Sequence, residues 1–197
     1  MIYSSLMRKI VFDIETSNQF SDVGSGNPTA LDISVVCIHD SETDAYLAFE
    51  QEQFSELWKY IESADMLIGF NSDHFDIPLL NKYYPGDLSH IKSLDLLKEV
   101  YESLGRRIKL DTIAEATLGE KKSGHGLQAI QWWRNGDKQK VIDYCIQDVK
   151  VTKRIYDYAR THNKVKYKDL GKIKDIPLDA RAWEERQDAA LTHTLPF

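Results

Sequence analysis

The chain has 197 residues, 42% of them hydrophobic, enough for one well-formed core and short for two. Its formal net charge of −6 excludes a protein that coats nucleic acid through a broad basic surface, but not an enzyme that grips a nucleic-acid end locally through metal ions. No apolar run approaches bilayer-spanning length, residues 1–9 lack the apolar core of a secretory signal, and Cys37 and Cys145 sit apart in apolar settings, so a soluble, cytoplasmic protein with buried free thiols and no membrane partner is expected.

The first predicted strand is the apolar run from Ile10 to Ile14, and it carries Asp13 and Glu15 at its end. Alternate side chains of a strand share a face, so these two carboxylates point the same way. Side by side in a core they repel each other and burial penalises both, so either their pKa values rise or a cation sits between them. From Ser17 to Thr29 the chain reads as a loop, with Gly24, Gly26 and Pro28, beginning where the carboxylate strand ends. Leu31 to His39 and Ala45 to Phe49 predict two more strands joined by a turn at 41–44, which makes the first three strands antiparallel.

Phe54, Leu57, Trp58 and Ile61 then recur at helical spacing between Gln53 and Glu62. A strand from Met66 to Phe70 leads into Asn71, Ser72 and Asp73, all good N-cap types, and a helix from His74 to about Tyr84 that Pro85-Gly86 closes. Ser93 to Leu97 predicts a short strand, followed by helix up to Gly105. A further helix from Thr112 to Leu118 has Asp111 as its expected N-cap and Gly119 past its end. Asp95 also reads as a cap.

Gly119 to Gly126 is a polar loop. Its Gly119-x4-Gly124 spacing does not make a nucleotide-hydrolysing phosphate loop, because His125-Gly126 stands where Lys and Ser or Thr are needed. After a short helix from Leu127 to Trp133 comes a long one from about Lys138 to Thr161, with Val141, Ile142, Cys145, Val149, Thr152, Tyr156 and Ala159 on one stripe. Tyr144 and Asp148 lie four residues apart, one turn along a single face. Beyond Asn163, alternating lysines predict a basic strand or arm, then a mobile tail.

Three segments carry a resemblance that covers about Lys9 to Arg160. Phe12-Asp13-Ile14-Glu15-Thr16, Gly69-Phe70-Asn71-Ser72-Asp73-His74-Phe75-Asp76 and Tyr144-Cys145-Ile146-Gln147-Asp148 are similar, in this order, to the three motifs of the DEDD superfamily of 3′-5′ exonucleases. Tyr144, with Asp143 where the other branch places a His, makes the chain similar to the DEDDy branch, which includes the proofreading exonucleases of family A and family B DNA polymerases. The resemblance implies an α/β, ribonuclease-H-like mixed sheet flanked by helices over residues 1–163, with 164–197 as a basic, partly mobile extension.

It further implies Asp13, Glu15, Asp76 and Asp148 as ligands of two Mg²⁺ or Mn²⁺ ions, and Tyr144 as the residue that orients the attacking water. Asp76 is preferred over Asp73, which reads as a cap. Thr16, Asn71 and Phe75 are candidate substrate contacts, although Phe75 and Phe70 read first as core. A carboxylate-rich, sulfur-free set selects Mg²⁺ or Mn²⁺ over Zn²⁺, which agrees with the implied chemistry. The implied activity is release of nucleoside 5′-monophosphates from 3′ ends of DNA, or of single-stranded nucleic acid more broadly. The alternative is a nuclease-like module of little activity that recruits a helicase or polymerase. Lys121, Lys122, Arg106 and Arg107 are candidates for backbone phosphates, and one of Trp132 and Trp133 for base stacking. The tail ending Thr194-Leu195-Pro196-Phe197 is a candidate docking peptide for a replication or repair protein.

Overall fold

A computed structural model describes residues 7–120 and 126–185. The expectations at Lys121, Lys122, Gly124 and His125, and at the tail from 186 onward, lie outside the described residues. A five-stranded sheet forms the body. β1 (Lys9–Thr16) is followed by a short helix, α1 (Phe20–Val23), then by β2 (Ile33–Asp40), β3 (Ala45–Phe49), α2 (Phe54–Glu62), β4 (Met66–Gly69), α3 (Asp76–Asn81), β5 (Lys92–Asp95), α4 (Leu96–Leu104), α5 (Leu110–Leu118), α6 (Gly126–Arg134) and α7 (Lys138–His162). Strand order is β3-β2-β1-β4-β5, with β1, β2 and β3 antiparallel and β4 and β5 parallel to β1. This mixed sheet flanked by helices is the ribonuclease-H-like architecture.

Alternation along β1 sorts its residues between two cores. Ile10, Phe12 and Ile14 face a cluster with Leu57, Ile61, Leu79 and Leu80, from α2 and α3. Val11 faces the other cluster, with Val35, Cys37, Ile68 and the buried stripe of α7. Each fully buried Leu or Ile stabilises the fold by about 1.5–3 kcal/mol. By the same alternation Asp13 and Glu15 fall on the α7 side, where Asp13 pairs in register with Cys37 and Glu15 with Val35. The parallel strands β1, β4 and β5 end at one edge of the sheet, the place where open α/β sheets form crevices.

Several local expectations change. The loop after β1 contains α1, which a capping box between Gln19 and Asp22 starts and Gly24, at φ 64°, ends. α3 begins at Asp76 rather than His74, because Asn71 turns left-handed at φ 68° and a tight turn, with the Phe75 amide on the Asn71 carbonyl at 3.1 Å, occupies 71–75. Asp73 is not its cap: its carboxylate accepts from Ser93 Oγ at 2.6 Å. Gly69 is required for this turn, since a Cβ there would lie 2.4 Å from Ser72 Cβ. α5 starts at Leu110, so Asp111 sits inside its first turn, where its charge complements the helix dipole. Asp95 does cap α4, accepting from the amides of Leu97 and Lys98.

The lysine-rich segment after Asn163 forms two strands, β6 (Lys164–Asp169) and β7 (Lys172–Pro177), around a turn at Leu170-Gly171, both at positive φ. Val165, Tyr167, Ile176, Leu178, Ala180 and Trp183 belong to the same hydrophobic cluster as α7. Trp183 stacks on Tyr156 at 5.8 Å and donates to Glu99 at 2.8 Å. Next to it, Glu184 accepts from Lys9 Nζ at 2.7 Å, from the Tyr156 hydroxyl and from Arg160 at 2.9 Å, tying residues 180–184 to β1 and α7.

Burial pushes the Glu184 carboxyl up, but the hydrogen bonds from Lys9 and Tyr156 and the charges of Lys9 and Arg160 outweigh it, leaving it below the usual glutamate range. Its stabilisation is therefore complete above the unfolded pKa of about 4.3 and is lost as pH falls through the lower folded value. Glu184→Gln is expected to lower the unfolding free energy by about 1–3 kcal/mol at neutral pH. Urea denaturation across pH checks this: the gap from the unsubstituted chain narrows as pH falls below the unfolded value and closes once the lower folded value is passed.

Candidate active site

Two elements build the acidic cup, with α3 at its edge. β1 supplies Asp13 and Glu15, and α7 lies across the same face with its buried stripe of Val141, Cys145, Val149, Thr152, Tyr156 and Ala159. Tyr144 and Asp148 ride on the neighbouring stripe, half-buried at the margin of the core. The two elements touch at Asp13, where the Cys145 thiol lies 3.4 Å from the Asp13 carbonyl oxygen and 3.5 Å from its Oδ2. One carboxylate oxygen each from Asp13, Glu15 and Asp148 lie within 4.8 Å of one another.

Asp76 stands outside that triangle but within its electrostatic reach. It is 5% exposed at the start of α3. Burial, then the charges of Asp148, Glu15 and Asp76, hold the Asp13 carboxyl well above the usual carboxylate range. Burial, then Asp148 and Asp76, do the same to Glu15. Asp76 itself is pushed up to about 7 by burial and by the charge of Asp95, against the backbone amides of Asp76 and Ile14. The influences named on Asp13 and Glu15 all act upward.

That combination fits a divalent cation. The grouped donors are oxygens, they converge, and their mutual repulsion is what a bound dication removes. Tyr144 is held well above its ordinary pKa by burial, by the charges of Asp148, Glu15 and Asp13, and by its hydrogen bond to Asp148. It is therefore a neutral phenol, and Trp132 packs edge-on against it at 6.2 Å. Trp133 lies under Lys138, 4.8 Å from the ring centroid. Both tryptophans are half-buried, packed against the α7 core.

Of the three candidate substrate contacts, Thr16 is buried and donates to the Asn18 carbonyl at 2.8 Å. Asn71 accepts from Arg107 through its amide oxygen, which leaves its amide N–H groups to donate. Phe75 is half-buried and meets Phe20 of α1 edge-to-face at 6.2 Å. Sequence reasoning missed two supports. Asp95, read only as a cap, also accepts from the amides of Asn71 at 2.7 Å and Asp73 at 3.2 Å, so one carboxylate anchors both α4 and the turn that leads to Asp76. Cys145, read only as a buried thiol, touches Asp13. The available signal for Asp95 was its place at the end of a strand that leads directly into an apolar helix.

Residues 10–160 match a family model described as RNase_H superfamily. A DNA polymerase of Archaeoglobus fulgidus is 27% identical over 203 residues, covering 88% of this chain and 25% of that polymerase. The family B DNA polymerase of the hyperthermophilic archaeon Pyrobaculum calidifontis superposes with a TM-score of 0.59 at 20% identity, over 78% of this chain and 24% of that one. At such identity the structural likeness speaks for the fold. The chain spans about a quarter of the length of the polymerases it matches.

If like-charge repulsion strains the metal-free cup, Asp13→Asn is expected to stabilise the chelated protein at neutral pH by about 1–3 kcal/mol. Mg²⁺ is expected to raise the melting temperature of the unsubstituted chain by several degrees and that of Asp13→Asn far less, as read by thermal denaturation with and without chelator.

Proposed function

The chain belongs to the RNase H superfamily and carries a nuclease-type domain, and from that premise we propose that it is a metal-dependent 3′-5′ exonuclease, acting on DNA in preference to RNA. The observation that carries this reading is the convergence of Asp13, Glu15 and Asp148 within 4.8 Å, with a neutral Tyr144 one helical turn from Asp148. The likeness to DNA polymerases supports DNA as the substrate class. We assign Asp13, Glu15, Asp76 and Asp148 as the residues that would hold Mg²⁺ or Mn²⁺. Bound there, the ions would supply positive charge that acidifies a water molecule and offsets charge developing on the phosphoryl oxygens.

The chain's own residues do the rest. Asp148 holds the Tyr144 hydroxyl by a hydrogen bond, and Trp132 fixes the ring, so the phenol oxygen is aimed rather than free to rotate. A neutral phenol orients a water without removing its proton, and orientation of a nucleophile is worth a large part of a hydrolytic barrier. Asn71 donates its side-chain amide to a phosphate or sugar oxygen at the β4 end of the cup. Thr16, its hydroxyl hydrogen directed at Asn18, offers lone pairs to a terminal sugar hydroxyl. Phe75, backed by Phe20, gives the terminal base an aromatic edge to pack on. A nuclease-like recruiting module would have no use for four acids and the tyrosine, and the intact set favours catalysis.

A 5′-labelled oligonucleotide shortened one nucleotide at a time in Mg²⁺, and untouched in chelator, is the expected result. Asp148→Ala is expected to reduce mononucleotide release by about 10³-fold. Tyr144→Phe is expected to slow turnover about 10–100-fold while Mg²⁺ affinity, measured by calorimetry, stays unchanged. Full turnover by Asp148→Ala would refute the assignment.

A further inference from the structure

The hairpin that follows α7 carries a misplaced side chain at its tip. β6 and β7 are joined by two residues, with Asp169 and Lys172 paired in register on either side, and both central residues take positive φ, 47° at Leu170 and 79° at Gly171. Gly171 meets that demand freely, but a leucine there is strained by its own Cβ, and Asn or Asp is what such turns usually carry. Packing does not offset the strain. Leu170 is 97% exposed, the most exposed large hydrophobic side chain among the described residues. A residue that is both strained and open to water does nothing for the fold, so its use lies outside the chain.

Ile173 repeats the pattern. Val165, Tyr167 and Ile176 turn the inner face of the hairpin into the α7 core. Ile173 is three residues from Ile176 along one strand and so points outward, 62% exposed and opposite Lys168 in register. Around these two aliphatic side chains the charge is positive: residues 164–177 have five lysines against two aspartates, in a chain of net charge −6. Both aspartates are already paired, Asp169 with Lys174 and Arg106 and Asp175 with Lys164, whereas Lys172 beside the tip makes no ion pair among the described residues. Lysines alone would guard a strand edge against pairing with another chain, and an exposed leucine and isoleucine among them undo that protection. The ribbon is held still. Thr117 Oγ1 donates to the Lys166 carbonyl at 3.1 Å and accepts from its amide at 2.9 Å, and Ser103 donates to the Pro177 carbonyl at 2.6 Å.

We propose that the tip and outer face of this hairpin dock an acidic, apolar peptide segment of a partner protein, its carboxylates toward Lys168 and Lys172 and its apolar side chains over Leu170 and Ile173. A nucleic-acid backbone would satisfy the lysines and leave both aliphatic side chains in water. An anionic bilayer would draw in Asp169 together with the neighbouring Leu170, and would repel its charge. A peptide can place its acids at the lysines alone, and the rigid ribbon lowers the ordering cost of binding. The position gives the contact a use: Asp169 binds Arg106, and the adjacent Arg107 holds Asn71, so the partner is seated beside the acidic cup. This surface does not depend on whether the cup is catalytic.

Two measurements on the full chain test it. Leu170→Asn is expected to leave the melting temperature unchanged or to raise it, because Asn-Gly suits this turn; a loss of several degrees makes Leu170 a structural residue and overturns the inference. The second is fluorescence anisotropy in chelator against a pool of short labelled peptides of aspartate and glutamate with leucine or phenylalanine at varied spacing. A matched pool with serine in place of the apolar residues, a DNA duplex, and vesicles of phosphatidylserine and phosphatidylcholine are the other arms. The apolar acidic peptides are expected to bind, less tightly as salt is raised, and Leu170→Asn combined with Ile173→Thr is expected to weaken them by about tenfold or more. Lys172→Glu is expected to weaken them as well, with the melting temperature unchanged. Full affinity in the double variant, equal binding of the serine pool, no binding by any peptide, or binding by the duplex or the vesicles alone overturns the docking surface.

Discussion

Carboxylates forced together at the edge of a hydrophobic core are the constraint around which this chain is organised. Asp13 and Glu15 cannot leave the α7 side of β1 without moving Ile10, Phe12 and Ile14 out of the other core, because a strand slipped by one residue exchanges its faces. Apolar burial on both sides of the sheet thus fixes the acids against their own repulsion. The fold supplies the free energy that holds the acids together, and a bound dication would offset their repulsion.

Around that cup the supports are few and shared. Asp95 anchors the turn at 71–73, caps α4 and raises the pKa of Asp76. The Asn71 that it anchors receives Arg107, whose neighbour Arg106 reaches Asp169 at the turn end of β6 and lies over the Tyr167 ring. One chain of contacts runs from the hairpin to the second acidic motif. The cup is therefore coupled to its surroundings on the Asp76 side through polar contacts, and on the α7 side through apolar packing reinforced by the Cys145 thiol at Asp13.

What the sequence disclosed was what short-range geometry determines. Asp13 and Glu15 share a face because they are two apart in a strand, and Tyr144 and Asp148 because they are four apart in a helix. Both relations hold whatever the tertiary fold. Asp73 misled because a capping residue looks the same whether the chain behind it turns left-handed or not, and the turn depends on Asn71 adopting φ 68° with its amide held by Asp95, 24 residues on. Asp111 misled because α5 starts on backbone hydrogen bonds to the Lys109 carbonyl, without a side-chain cap. The second strand of the hairpin was hidden by a Leu-Gly turn, which lacks the Asn or Asp that usually marks such a bend.

α7 is a single rod of 25 residues, about 37 Å long, with Tyr144 and Asp148 in its first half and the ties to Glu184 in its second. A helix rotates about 100° with each residue, so inserting or deleting one position ahead of Tyr144 within the rod would swing phenol and carboxylate out of the cup together. A change of length is accordingly better borne by the connecting loops than by the rod, and the spacing between the start of α7 and Asp148 acts as a fixed count rather than as a tolerant distance.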